Sequence, residues 1–117
     1  MEHLPHYEKQ NRPWGSFERF TLNEPSTVKV VSINAGEVIS LQTHARRDEF
    51  WKILSGSGTV TNNSTRLLAH SGGAFWNERG AKHRIEAGPE GLQFLEIAFG
   101  EFDEQDIKRL EDRYGRS

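Results

Sequence analysis

The chain contains no cysteine and only one methionine. Disulfides and thiolate metal sites are therefore excluded, which fits a reducing cytoplasm. No apolar run approaches the roughly 20 residues that a membrane-spanning helix needs. The opening MEHLPHYEKQNRPWG lacks the apolar centre of a secretory leader. A strong charge of one sign is missing too. Fifteen Lys and Arg face seventeen Asp and Glu, a net charge of -2, so neither nucleic acid nor an acidic membrane is an expected partner. Long helical periodicities are scarce. Two overlapping Asn-x-Ser/Thr triplets, starting at Asn62 and Asn63, read as an Asn-rich hairpin turn in a chain without a secretion signal.

What is present is a pattern of short strands and glycine turns. Eleven glycines punctuate 117 residues, a length that supports one domain with a modest core. Residues 1–11 are polar and read as an N-terminal arm, and Arg12-Pro-Trp-Gly15 as a turn. Strands are expected at Ser16–Thr21, Thr27–Ile33, Val38–His44, Glu49–Leu54, Thr59–Thr61, Thr65–Leu68, Ala74–Asn77, His83–Ala87 and Leu92–Phe99. Asp103 as a cap, Ile107, Leu110 and Tyr114 at helical spacing, and Gly115 as a stop predict a short C-terminal helix over 103–115. Many short strands at close spacing mean an all-β sandwich or barrel. Glu49–Leu54 and Leu92–Phe99 are apolar on both faces, so a homodimer is expected to cover the second face.

One stretch stands out, Gly36 to Gly56. Residues i and i+2 of a strand point the same way, roughly 6.5–7 Å apart. Gln42 and His44 have that spacing and share a face with Ser40. Glu49 opens the returning strand, and His83 follows in Arg79-Gly-Ala-Lys-His83. An amide oxygen, two imidazoles and a carboxylate make a borderline N/O donor set suited to Zn²⁺ and tolerant of Co²⁺, Mn²⁺, Fe²⁺ or Ni²⁺.

The same stretch resembles the first cupin motif: Gly, five residues, a ligand pair one residue apart, then Glu, then Gly. Arg79–His83 resembles the second, with Arg79 where proline is usual. Within cupins the chain is similar to the C-terminal phosphomannose isomerase domain of the bifunctional mannose-6-phosphate isomerase/mannose-1-phosphate guanylyltransferases. The matching pieces run in order from residue 12 onward: Arg12-Pro-Trp-Gly-Ser-Phe17, Lys29, Leu41-Gln-x-His44, Arg47-x-Glu49-x-Trp51, Ser55-Gly56, Gly80-x-Lys-His-Arg84, Glu96, Glu104-x-Asp106-Ile-x-Arg109 and Glu111-Asp-Arg-Tyr-Gly-Arg116. Two departures are plain. Ala45 and Arg46 stand where the family usually has further histidines, and the guanylyltransferase domain is missing, which removes nucleotide transfer from the expectation.

The resemblance implies an all-β cupin barrel (double-stranded β-helix, or jelly roll). It also implies Gln42, His44, Glu49 and His83 as metal ligands, and interconversion of mannose 6-phosphate and fructose 6-phosphate through an enediol. That reaction needs a base, for which Glu96 is the candidate; its alternative is a salt bridge to an arginine. Arg47 either neutralises the enediolate or orients Glu49. Arg12 and Lys29 are candidates for the sugar phosphate, or ordinary surface charges, and Ser40 for a sugar hydroxyl. The competing readings are a non-catalytic or differently specific cupin that binds a sugar or sugar nucleotide, and an iron-dependent oxygenase, against which the glutamine ligand weighs.

Overall fold

The computed structural model describes residues 3–116. Nine strands follow in order: β1 (Glu8–Arg12), β2 (Gly15–Arg19), β3 (Thr27–Ile33), β4 (Leu41–Thr43), β5 (Arg47–Asn62), β6 (Thr65–His70), β7 (Ala74–Asn77), β8 (His83–Gly100) and β9 (Lys108–Glu111). β1 and β2 form a separate hairpin. The other seven make one sheet in the order β6-β5-β8-β4-β9, with β3 added on β8 and β7 on β5. Every pairing is antiparallel.

Two long strands, β5 and β8, form the frame, pairing from Arg47–Gly100 to Asn62–His83. The glycine-rich Ser55–Gly58 stretch, which reads as a break between two strands, instead bends one continuous strand. Register shifts fall between Ile53 and Ser55 and between Gly56 and Gly58, and such bulges re-aim a strand without ending it. Gly56 has φ +82, and a Cβ there would lie 2.1 Å from the Gly91 carbonyl oxygen. Only glycine fits both demands. At the β5–β6 turn Asn63 takes φ 52, a conformation Asn tolerates better than most residues.

Alternation places Trp51, Ile53, Val60, Ile85 and Phe94 in the interior, each essentially without solvent exposure. Fully burying side chains of this size stabilises by about 1.5–3 kcal/mol each. The opposite face carries a second cluster, Phe50 and Ile97 under Leu4, with Tyr7, Phe20 and Trp76 packed against it. Part of the expected second apolar face is thus covered by the chain's own N-terminal segment.

Two expectations are corrected. Residues 103–115 form no helix, and none occurs among the described residues. Asp103 does cap the Gln105 N–H at 2.9 Å, but only for one turn. Asp106 is then committed to the Ala45 and Arg46 N–H groups, and Lys108–Glu111 pairs along β4. Pairing with the sheet edge overrides a weak local helix preference. The N-terminal arm is also partly ordered as strand: Glu8–Arg12 pairs with Gly15–Arg19. Met1 and Glu2 lie outside the described residues.

Candidate metal centre

The register brings the donors together. β4 ends at Thr43, and the turn to β5 holds His44 above Glu49. Gln42 lies opposite His83, Glu49 opposite Asn77 and Ala98, and Trp51 opposite Glu96. Directly opposed residues share a sheet face, so these side chains all enter the barrel. His44, Glu49 and His83 are 3%, 1% and 1% exposed, and their donor atoms all lie within 4.8 Å of one another.

The hydrogen bonds set the histidine tautomers. His44 Nδ1 lies 2.6 Å from the Asp106 carbonyl oxygen, and His83 Nδ1 lies 3.1 Å from that of Ala81. A carbonyl only accepts, so both Nδ1 atoms carry hydrogen and a neutral ring leaves its lone pair on Nε2. The two Nε2 atoms face the same carboxylate: His44 Nε2 is 3.4 Å from Glu49 Oε2, and His83 Nε2 is 3.4 Å from Glu49 Oε1. Burial pushes the His44 imidazole below its ordinary value, outweighing the pull of Glu49. Burial alone would raise the Glu49 carboxyl. The facing His83 and His44 rings and the Arg47 guanidinium outweigh that and bring it down to about 2.

This set fits a divalent cation. Glu49 Oε1 and His83 Nε2 are buried without a hydrogen-bond partner, and leaving such atoms unmet costs about 1–3 kcal/mol each. An ion meeting a carboxylate and two Nε2 lone pairs would remove that cost, and carbonyl oxygens accepting from both Nδ1 atoms are the usual support of histidine ligands. Arg47, 4% exposed, holds the other carboxylate oxygen: its Nε donates to Glu49 Oε2 at 2.9 Å and its Nη1 to the Asp103 carbonyl at 3.0 Å. The Phe102 ring lies under its guanidinium at 4.4 Å.

Beside the triad, Lys29, Ser40, Gln42, Phe94, Glu96 and Arg109 line much of a cavity of 160 Å³. Ser40 is buried and donates to Gln42 Oε1 at 3.0 Å. Gln42 is therefore next to the triad, across from His83, with its oxygen engaged by Ser40. Glu96 is 6% exposed. Its Oε1 accepts from Trp51 Nε1 at 3.1 Å, and its Oε2 lies 3.5 Å from Lys29 Nζ. Burial, reinforced by the Glu49 charge, pushes the Glu96 carboxyl above its ordinary value despite Lys29. Arg12 is not brought to this site. It sits exposed at the tip of the β1–β2 hairpin, against its own Phe17 and the Asn11 carbonyl, and Trp14 beside it is 74% exposed.

Sequence reasoning missed four contributors. Asp106 clamps the ligand turn through both its carbonyl and its carboxylate; the tail motif includes Asp106, but its spacing also satisfies the rules for a helix. Arg109 pairs in register with Gln42. Asn77 and Asn62 are joined by an amide hydrogen bond of 2.9 Å, and Asn77, opposite Glu49, is 1% exposed with a buried unpartnered Nδ2. Ala45 and Arg46, where further histidines were anticipated, are exposed, so that departure lies on the surface and not among the ligands.

The family model described as Mannose-6-phosphate isomerase C-terminal matches residues 1–112. The chain is 35% identical, over 98% of its length, to the mannose-1-phosphate guanylyltransferase ManC of Salmonella typhimurium, and spans 24% of that protein. It is 33% identical to the xanthan biosynthesis protein XanB of Xanthomonas campestris over 95% of the chain and 24% of the relative. For the alginate biosynthesis protein AlgA of Pseudomonas fluorescens the figures are 34%, 91% and 22%. The chain thus spans about a quarter of the length of these relatives. Among solved structures, a cupin protein from Bacteroides fragilis is similar with a TM-score of 0.59 at 22% identity, covering 69% of this chain and 74% of that one. The capsular polysaccharide assembling protein CapF of Staphylococcus aureus gives 0.68 at 19%, covering 90% and 34%. These likenesses establish the cupin barrel, and the family match is more specific: the chain belongs to the mannose-6-phosphate isomerase C-terminal family.

Proposed function

We propose that the domain is a metal-dependent sugar-phosphate isomerase that interconverts mannose 6-phosphate and fructose 6-phosphate. The observation that carries this reading is Glu96: a buried carboxylate with a raised pKa, opening on the same cavity as Gln42 and set beside three convergent ligand side chains. His44, Glu49 and His83 would hold the cation, with Gln42 as the fourth donor once its oxygen turns from Ser40. Zinc suits this N/O set best. When bound, the ion would supply Lewis-acid stabilisation of negative charge on the sugar oxygens.

The chain's own groups do the rest. Glu96 removes the proton from C2 of the open-chain aldose, giving an enediolate with its negative charge on O1, and delivers that proton to C1, while the hydroxyl proton of O2 passes to O1, so the ketose forms with no proton gained or lost. A carboxylate with a raised pKa is better matched to both steps than an ordinary one. Trp51 holds one Glu96 oxygen and leaves the other toward Lys29. Lys29 and Arg109 line the cavity and supply positive charge for a phosphate. Arg47 orients Glu49 through its Nε contact. A chain free of cysteine suits work in the reducing cytoplasm.

The reading is tested by adding mannose 6-phosphate to zinc-loaded protein and following fructose 6-phosphate in a coupled assay. Saturable sugar-phosphate binding without turnover under any divalent metal would replace it with a non-catalytic binding role. Glu96→Gln is expected to lower kcat by about 10²–10⁴ with little change in KM. In the wild type, kcat/KM is expected to fall as pH drops through the Glu96 pKa, on an acid limb above the ordinary carboxylate value, because the base works only when ionised. Near-normal turnover by Glu96→Gln would remove Glu96 as the base.

A further inference from the structure

Three buried side-chain atoms around the metal centre lack a hydrogen-bond partner among the described residues: Glu49 Oε1, His83 Nε2 and Asn77 Nδ2. The first two are acceptors, and a divalent cation would meet both. The third is a donor. A cation repels an N–H, so Asn77 Nδ2 needs an oxygen instead. The neighbours of Asn77 decide which end of its amide is free. The Trp76 carbonyl oxygen can only accept, and it lies 3.3 Å from Asn62 Nδ2. That contact orients the Asn62 amide, and the same nitrogen donates its second hydrogen to Asn77 Oδ1 at 2.9 Å. Asn77 Oδ1 is thereby engaged, and the free end, Nδ2, has no lone pair with which to hold an ion.

The strand register sets this donor beside one acceptor. Asn77 on β7 is directly opposite Glu49 on β5, and Asn62 on β5 is directly opposite His83 on β8. Opposed residues share a face with their Cβ atoms about 4.5–5.5 Å apart, within the combined reach of an Asn and a Glu side chain. The two asparagines therefore flank two of the three ligand side chains, one each. Glu49 itself is held at one oxygen only. Arg47 Nε donates to Oε2 at 2.9 Å, while Oε1 accepts no hydrogen bond. A carboxylate oxygen has two lone pairs, so Oε1 can face an ion with one and accept an N–H with the other. We infer that Asn77 is a positioning residue for the metal. Its Nδ2, aimed by Asn62, donates to Glu49 Oε1 and, with Arg47 on Oε2, fixes the plane of the ligand carboxylate. Closing the contact takes a shift of side chains, since β7 and β5 already hold the two backbones in register. This role rests on the metal reading of the site and is independent of the reaction that the site performs.

Asn77→Leu keeps the branched shape and removes the donor. Calorimetric titration of the metal-stripped variant with zinc is expected to show an affinity about 10–100-fold below wild type, the range for groups that hydrogen-bond to metal ligands. Asn62→Leu leaves the Asn77 donor in place but unaimed, and should lose affinity by a smaller factor. Without metal, Asn77→Leu should melt close to the wild type, because the lost Asn62 bond is offset by removal of a buried unmet donor. Cobalt serves as an optical probe. Its visible bands follow ligand geometry and should shift in Asn77→Leu, where Glu49 is free to swing; a contribution to packing alone would not move them. Zinc affinity within twofold of wild type in Asn77→Leu overturns the inference. So does lost affinity with unchanged cobalt bands and a metal-free barrel that melts far lower, since Asn77 would then serve the fold. A wild type that takes up neither zinc nor cobalt would remove the metal centre itself, and this role with it.

Discussion

On the proposed function, His83→Ala is expected to abolish metal binding and, with it, turnover. His83 contributes one of three convergent donors, and its Nε2 is buried and otherwise unpartnered. Groups that hydrogen-bond to metal ligands are worth about 10–100-fold in affinity, so loss of a ligand itself should exceed about 100-fold. The fold should survive. His83 also lies against the Trp51 ring edge at 5.5 Å, so its truncation costs packing of about 1–3 kcal/mol, less than the stability of a typical domain. Calorimetric titration of metal-stripped wild type and variant with zinc checks the first part, and the coupled assay the second. Arg46→Ala is the control: the Arg46 side chain is exposed and pairs at 3.5 Å with the exposed Glu101, so affinity should change less than twofold. A variant lacking His83 that still holds one ion per chain with wild-type affinity would remove it from the ligand set.

Gly56→Ala is expected to be the most destabilising single methyl addition in the barrel, by about 3 kcal/mol or more. Two effects combine there. The backbone has φ +82, and the new Cβ would meet the Gly91 carbonyl oxygen at 2.1 Å, backbone against backbone in the central β5–β8 pair. Gly80 separates the two effects. Its φ of +81 is almost the same, but nothing lies within 4 Å of its would-be Cβ, so Gly80→Ala should cost only the left-handed strain of about 1–2 kcal/mol. Urea unfolding of both variants measures the difference. Equal losses would mean that the β5–β8 bulge can open to accept a side chain.

The parts legible from sequence were those with a local period. Gln42 and His44 on one face, and Lys29, Val31 and Ile33 on another, follow from alternation alone, and Glu96 faces inward as its parity with Phe94 and Ala98 requires. What was not legible depended on partners distant in sequence. Gly56 and Gly58 look like strand breakers, yet a bulge against residues 86–92 keeps β5 continuous. Residues 103–115 satisfy helix rules, but the edge of β4 and the N–H groups of Ala45 and Arg46 claim them. Asn77 carries no motif; it matters because β7 lies against β5 with Asn77 opposite Glu49. Arg12 sits in a family motif, and its place on a projecting hairpin could not be read from that motif.

The most direct test of the account is to strip the isolated chain of metal with a chelator, restore zinc in measured amounts, and follow isomerisation of mannose 6-phosphate at each step. The account predicts no turnover in the stripped protein and a linear rise that levels off at one ion per chain. Full turnover without metal, or none with one ion bound per chain, would contradict it.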